Sequence, residues 1–237
     1  PLHAAAGLDL LRKSGLLAEV LPELAATIGC EQPPEFHPEG DVYAHIRLML
    51  SQLPEAADTG LIWSVLMHDI AKPVTASRDD DGCIRFFGHE KTGTDMARAI
   101  LNRLRFPNAE IDTVTSCVRY HMQLKDAREM RTATLRKLFL RSVFATELEL
   151  HRLDCLSSSR RLDNFEFLQA KFEAFQNQPE LQQPLLDGSD LIALGQAPGP
   201  GFGALLKEAR ERQLEGELTT RDQALGWLEA KVRAVTE

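Results

Sequence analysis

Residues 60–71, GLIWSVLMHDIA, are apolar almost all the way round a helix, and the stretch ends on His68-Asp69. A helix with no polar face must be buried on every side, so other helices have to surround it. Pro73 stops it, because proline has no N–H to continue the ladder. An imidazole and a carboxylate are thereby carried into the interior, where each needs a partner.

The rest of the chain supplies the surrounding helices. Apolar periodicity predicts helices over 8–13, ending at Ser14-Gly15, over 16–28, ending at Gly29, and over 42–53, with Asp41 as N-cap. It predicts further helices over about 89–104, 109–122, 133–141, 145–160 and 163–176. Asp79-Asp80-Asp81-Gly82 marks a tight turn between short extended pieces around 73–76 and 83–87. A polar, Pro- and Gln-rich stretch over 177–184 reads as a hinge. Beyond it come a short helix near 189–194, the PGPGFG turn at 198–203, a helix to about 214, and a last one from 221 capped by Thr220.

Leu, Ala, Glu and Arg dominate and aromatics are only 6%, which favours helix over sheet. The expected fold is all-α: a helical bundle with a small hairpin-like insertion and a C-terminal helical subdomain. The expected division is an N-terminal helical segment over 1–35, a metal-binding domain over 36–176 and a tail over 177–237.

No apolar run reaches about 18 residues, so no membrane span is expected. A net charge of −8 argues against a surface that attracts nucleic acid everywhere. The local basic stretches, Arg128 to Arg141 and Lys207 to Arg212, read as solvated helix faces. Cys30, Cys83, Cys117 and Cys155 are scattered with no CxxC pair, which implies reduced thiols and a cytoplasmic location. Pro1-Leu2-His3-Ala4 lacks an initiator Met and a signal pattern, so the chain is expected to be processed or cut from something longer.

Four of the seven histidines lie on apolar faces of four different helices. His45 continues the row Val42, Ile46, Met49 and Leu53. His89 shares a face with Gly93, Met96 and Ile100, and His121 extends Ile111, Val114 and Val118. His68 ends the all-apolar helix. Any one alone reads as a hydrogen-bonded core histidine. Together with Asp69 they would cost several kcal/mol, at least about 1–3 kcal/mol for each unpartnered group. A shared cation removes that cost, since neutral imidazole and carboxylate are good metal donors. Asp154, between apolar neighbours in HRLDCL, completes the set, although alone it reads as the partner of a neighbouring arginine such as Arg152.

With His45, His68-Asp69, His89, His121 and Asp154 in this order, the sequence resembles the HD superfamily of metal-dependent phosphohydrolases. The resemblance is closer to the HD-containing C-terminal part of the bacterial tRNA nucleotidyltransferase/poly(A) polymerase family. It is carried by LLRKSGLLAEVLPEL (11–24), FHPEGDVYAHI (36–46), LMHDIAKP (66–73), FFGHEKTG (86–93), RYHM (119–122) and HRLDCL (151–156). PLLDGSDLIALG (184–195), PGPGFGALL (198–206) and QLEGELTTRDQAL (213–225) extend it. The Gly-rich strand-turn and paired carboxylates of that family's catalytic head are not found among these residues.

The resemblance implies that His45, His68, Asp69 and Asp154 hold one metal, with Asp69 bridging to a second held by His89 and His121. Met122 stands where some dinuclear relatives carry another histidine. Lys72 corresponds to a lysine that contacts substrate phosphate, or is simply a cation near a helix C-terminus. His37 reaches the same cleft or caps a turn, and Glu90 either orients His89 or answers the helix dipole. One or two divalent transition metals (Mn, Fe, Co, Ni or Zn) suit such imidazole-rich ligation better than Mg.

The leading expectation is therefore a metal-dependent phosphohydrolase acting on phosphomonoesters or phosphodiesters, with 2′,3′-cyclic nucleotides foremost. Asp69 and Lys72 would act at the metal-activated hydroxide, and His37 and Lys72 would bind the substrate. Two alternatives stand beside it. One is the RNA-supporting body of a tRNA nucleotidyltransferase, with tRNA as partner. The other is a nucleotide-binding module whose metal site is degenerate.

Overall fold

The computed structural model describes residues 3–236; Pro1, Leu2 and Glu237, at the ends of the first and last expected segments, lie outside the described residues. The fold is all-α. Fourteen α-helices are described: α1 (Ala4–Lys13), α2 (Leu16–Val20), α3 (Pro22–Ala25), α4 (Val42–Ser51), α5 (Thr59–Met67), α6 (Lys72–Thr75), α7 (His89–Arg103), α8 (Asn108–Tyr120), α9 (Thr132–Phe139), α10 (Phe144–Ser157), α11 (Asp163–Gln176), α12 (Gly188–Ala193), α13 (Pro200–Glu215) and α14 (Arg221–Thr236). The small insertion is a hairpin of β1 (Ser77–Arg78) and β2 (Ile84–Arg85), antiparallel, with Ser77 opposite Arg85 and Arg78 opposite Ile84.

Local chemistry sets most of the boundaries. Asp41 caps α4 by accepting from the Ala44 N–H at 2.7 Å, and Asp58 caps α5 from Leu61 at 2.8 Å. Thr220 accepts from the Gln223 N–H at the start of α14. The expected helix over 16–28 instead breaks at Leu21, whose backbone leaves the helical region (φ −133°, ψ 64°) ahead of Pro22. The all-apolar helix stops at Met67 rather than at 71, and α6 forms one helical turn where an extended piece was expected. The PGPGFG turn is shorter than expected, because Pro200 opens α13 at the one position that needs no N–H. A 3-10 stretch, His121–Glu129, kinks at Asp126 and was not foreseen.

The chain forms two compact units: residues up to Asp126 with Val143–Glu166, and Ala127–Ser142 with residues from Phe167 onward. In the first, α5 is central. It packs against α4, α8 and α10, while α7 lies along α8 and α1 along α4. No residue from Gly60 to Pro73 is exposed, and Val65, Met67, Ile70 and Ala71 are wholly buried. Val65, Met67 and Ile70 share one core with Ile46, Met49, Ile100, Leu101, Val114, Val118 and Leu153. His68-Asp69 thus arrives in the middle of the unit.

In the second unit, α9 packs on α13, where Arg136 donates to the Leu214 carbonyl at 2.8 Å and Lys137 meets Glu211 at 2.6 Å. Phe139 packs against Phe172 and Phe175. A separate apolar cluster of Leu186, Leu191, Ala209, Leu218, Ala224 and Leu228 joins α12, α13 and α14. Asp187 and Asp190 form a reciprocal capping box on α12, and Arg221 pairs with Asp190 at 2.6 Å.

Gly93 sets the spacing of α7. A Cβ there would lie 3.2 Å from Val118 Cγ1 and 3.6 Å from Ala71 Cβ. Gly93→Val is expected to destabilise the chain by about 1–3 kcal/mol through overpacking. Urea unfolding checks this, and an unchanged midpoint would mean that α7 has room to move.

Candidate metal centre

Asp69 sits at the centre of the site, 2% exposed, immediately after the buried helix α5. Around it stand His45 from α4, His68 at the C-terminus of α5, His89 at the start of α7 and His121 at the C-terminus of α8, all buried. Asp154, from α10, comes within 3.3 Å of His45 Nε2. The structure therefore brings together all six residues expected to bind metal. Donor atoms of His45, His68 and Asp69 lie within 4.8 Å of one another, and so do those of Asp69, His89 and His121. Asp69 is common to both groups; Asp154 flanks the first through His45.

The orientation of the rings decides what they can do. His68 Nδ1 lies 2.9 Å from the Val65 carbonyl, His89 Nδ1 2.8 Å from Phe86, and His121 Nδ1 2.7 Å from Val118. A carbonyl only accepts, so each Nδ1 carries the proton and each Nε2 is left as a lone pair. Those lone pairs converge. His89 Nε2 and His121 Nε2 stand 3.1 Å apart, and they lie 3.5 and 3.8 Å from Asp69 Oδ1. Two lone pairs at that separation repel unless a cation lies between them. His68 Nε2 is buried with no hydrogen-bond partner, a cost of about 1–3 kcal/mol, and His45 Nε2, equally buried, has the Asp154 carboxylate 3.3 Å away.

These distances suit coordination. Ligands bound at about 2.0–2.1 Å lie about 2.9–3.4 Å from one another in octahedral or tetrahedral geometry. His68 Nε2 to Asp69 Oδ2 at 3.2 Å, His45 Nε2 to Asp154 Oδ1 at 3.3 Å and the 3.1 Å histidine pair all fit. Imidazole nitrogen with carboxylate oxygen is a donor set for a divalent transition ion.

Charge is distributed to match. Burial opposes ionisation of Asp69, but His68 and Lys72 outweigh it and hold its pKa well below the carboxylate range. Asp154 is likewise pulled low against burial by His45. Burial, with His68 and His89 nearby, pushes His121 down to about 3, so it is a neutral donor at any ordinary pH. His89 is also lowered by burial. For His45 burial acts downward, but Asp154 and Glu39 prevail and raise it to about 9.

Lys72 is buried. Its Nζ lies 2.7 Å from Asp69 Oδ2 and 2.6 Å from Gln32 Oε1, and 5.3 Å from the centre of the Phe86 ring. His37 lies beside the cluster, its ring 5.0 Å from that of His45. Glu90 stays 3.9 Å from His89 Nδ1, whose proton goes to the Phe86 carbonyl. Arg152 pairs with Glu149 at 2.6 Å, which leaves Asp154 free for His45. Sequence reasoning missed Glu39 and Gln32. The only signal for Glu39 was its place in FHPEGD, two residues after one histidine and six before another. A cavity of about 540 Å³ lined by Ile28, Cys30, Pro73, Arg78 and Ile84 contains none of these residues.

The family model for tRNA nucleotidyltransferase domain 2 matches residues 86–228. An A-adding tRNA nucleotidyltransferase of Deinococcus radiodurans is 33% identical, across 95% of this chain and 54% of its own length. A CC-adding tRNA nucleotidyltransferase of Thermus thermophilus is 35% identical, across 95% of this chain and 52% of itself. A multifunctional CCA protein of Halorhodospira halophila is 33% identical over 86% and 49%. The chain thus spans about half the length of the curated relatives it matches.

These relatives correct the enzyme class expected from the sequence. They are named for adding nucleotides to tRNA, which is transfer, and not for the hydrolysis of a metal-dependent phosphohydrolase or phosphodiesterase. The expectation overreached for a physical reason: convergent imidazoles and carboxylates specify a metal cage, and a cage does not specify a reaction.

His68→Ala/Asp69→Ala removes a donor from the first group and the residue common to both, so metal per chain measured by mass spectrometry should fall sharply. Retained metal would show that the ligands lie elsewhere. An ion taking His45 Nε2 must displace the proton held there below pH about 9. Affinity should therefore rise with pH towards 9, with about one proton released per ion at neutral pH. Calorimetry in buffers of different ionisation enthalpy measures the release, and its absence would contradict the charge state of His45.

Proposed function

The chain belongs to the tRNA nucleotidyltransferase family, and on that premise we propose that it forms the helical, RNA-supporting body of a CCA-adding or related tRNA nucleotidyltransferase. The observation that carries this reading is the extent of the match: nearly the whole chain aligns with the A-adding and CC-adding relatives while covering about half of each. Its partner is then tRNA and its location the cytoplasm. Among the described residues no helix is long and apolar enough to cross a membrane.

The buried cluster belongs to the same proposal. His45, His68, Asp69 and Asp154 hold one divalent transition ion, and Asp69, His89 and His121 hold a second. Support comes from the partnerless Nε2 of His68, from His45 Nε2 beside Asp154 at 3.3 Å, and from the Nε2 atoms of His89 and His121 facing each other at 3.1 Å. Lys72, paired with Asp69, offsets part of the carboxylate charge. An ion there links α4, α5, α7, α8 and α10, so it acts first on the rigidity of the body that would receive RNA. Zinc- or nickel-loaded protein would then unfold at a higher temperature than protein stripped by a chelator.

RNA binding is the decisive test. With an overall charge of −8, contact must run through local basic patches, and affinity should fall several-fold as salt rises from about 50 to about 200 mM. Fluorescence anisotropy with labelled tRNA is expected to show saturable, salt-sensitive binding by the metal-loaded chain. Absence of binding at low salt would overturn the RNA-supporting role.

A further inference from the structure

Three of the four imidazoles around Asp69 sit at helix ends. His68 and His121 follow the last residues of α5 and α8, and His89 opens α7. The last carbonyls of a helix lack ladder partners, and Val65 and Val118 take the Nδ1 protons of His68 and His121 in this way; Phe86, in the turn that leads into α7, takes that of His89. His45 lies in the body of α4, where carbonyls are consumed by the ladder. It needs another acceptor.

Glu39 provides it. Its Oε1 lies 2.5 Å from His45 Nδ1 and 2.9 Å from His37 Nδ1, and the carboxylate is only 7% exposed. An ionised carboxylate only accepts, so both Nδ1 atoms donate. Its pKa is held down: burial pushes upward, but the hydrogen bonds from His45, from backbone and from His37 win. His37, Glu39 and His45 also form a third group of close donor atoms, yet 2.5 Å is shorter than the roughly 2.9 Å minimum between two ligands of one ion. Glu39 is therefore a hydrogen-bond partner of a ligand.

We infer that Glu39 is a positioning residue for the metal centre: it holds His45 as the Nδ1–H tautomer and so aims Nε2 at the ion beside Asp154 and His68. The inference rests on the metal reading above. A carboxylate behind an imidazole also makes the ligand a better donor than a neutral carbonyl does. His37, bonded to the same oxygen, steadies the carboxylate from the other side.

The experiment compares wild type, Glu39→Gln and Glu39→Ala. Zinc affinity is read by calorimetry, and the His45 tautomer by long-range ¹H–¹⁵N correlation in the zinc-loaded protein, where Nε2 has given up its proton. Glutamine keeps an acceptor oxygen without the charge, whereas alanine removes both. Glu39→Ala is expected to weaken zinc about 10- to 100-fold and to mix the His45 tautomers. Glu39→Gln should lose less affinity and retain the Nδ1–H signal. Circular dichroism checks folding, and if the alanine variant does not fold, the glutamine variant decides by its affinity loss. Wild-type affinity in a folded Glu39→Ala protein, with unchanged His45 signals, overturns the role of Glu39 alone. Failure of wild type to take up zinc removes the metal reading and this inference with it.

Discussion

The structure depends on one constraint: four imidazoles and a carboxylate are buried at the centre of an otherwise apolar helical unit, and their polar atoms must be satisfied there. Backbone carbonyls of Val65, Phe86 and Val118 take three of the Nδ1 protons and Glu39 takes the fourth. Every Nε2 is thereby turned inward, towards Asp69 and Asp154. Hydrogen bonds on the outside of the rings create a demand for positive charge on the inside. Lys72 answers part of it, and the rest suits a divalent ion.

The surrounding helices serve that arrangement. α5 can end in the core because α4, α8 and α10 enclose it, and Pro73 forbids its continuation as a regular ladder. Gly93 lets α7 approach closely enough for His89 to meet His121. The second unit has its own apolar cluster and its own caps, and it contributes none of the six residues proposed to bind metal.

Family membership and site chemistry answer different questions here. The relatives are transferases acting on tRNA, while the cluster by itself suggested hydrolysis. The two are compatible if the cluster, which joins helices distant in sequence, serves as part of the proposed helical body. A ligand set constrains which ion binds and where. It leaves open which phosphate chemistry, if any, takes place around it.

Much of this was legible in the residues themselves. The helical class followed from apolar periodicity, and the burial of α5 from its lack of a polar face. The six proposed ligands followed from histidines placed on apolar faces, because such faces must turn inward whatever the topology. Hidden from the sequence were the distances and the outer partners. Leu21 and Pro22 broke a helix that periodicity alone ran through, since backbone sterics override side-chain pattern. Glu39 and Gln32 lie in an irregular connector, where no period says which way a side chain points. Only the packing of α4 against α5 and α10 brought His45 to Asp154, and only the path of the connector placed a carboxylate behind it. The sequence alone determined which groups had to be buried; the tertiary structure decided what each of them would face, because facing is set by contacts between elements far apart along the chain.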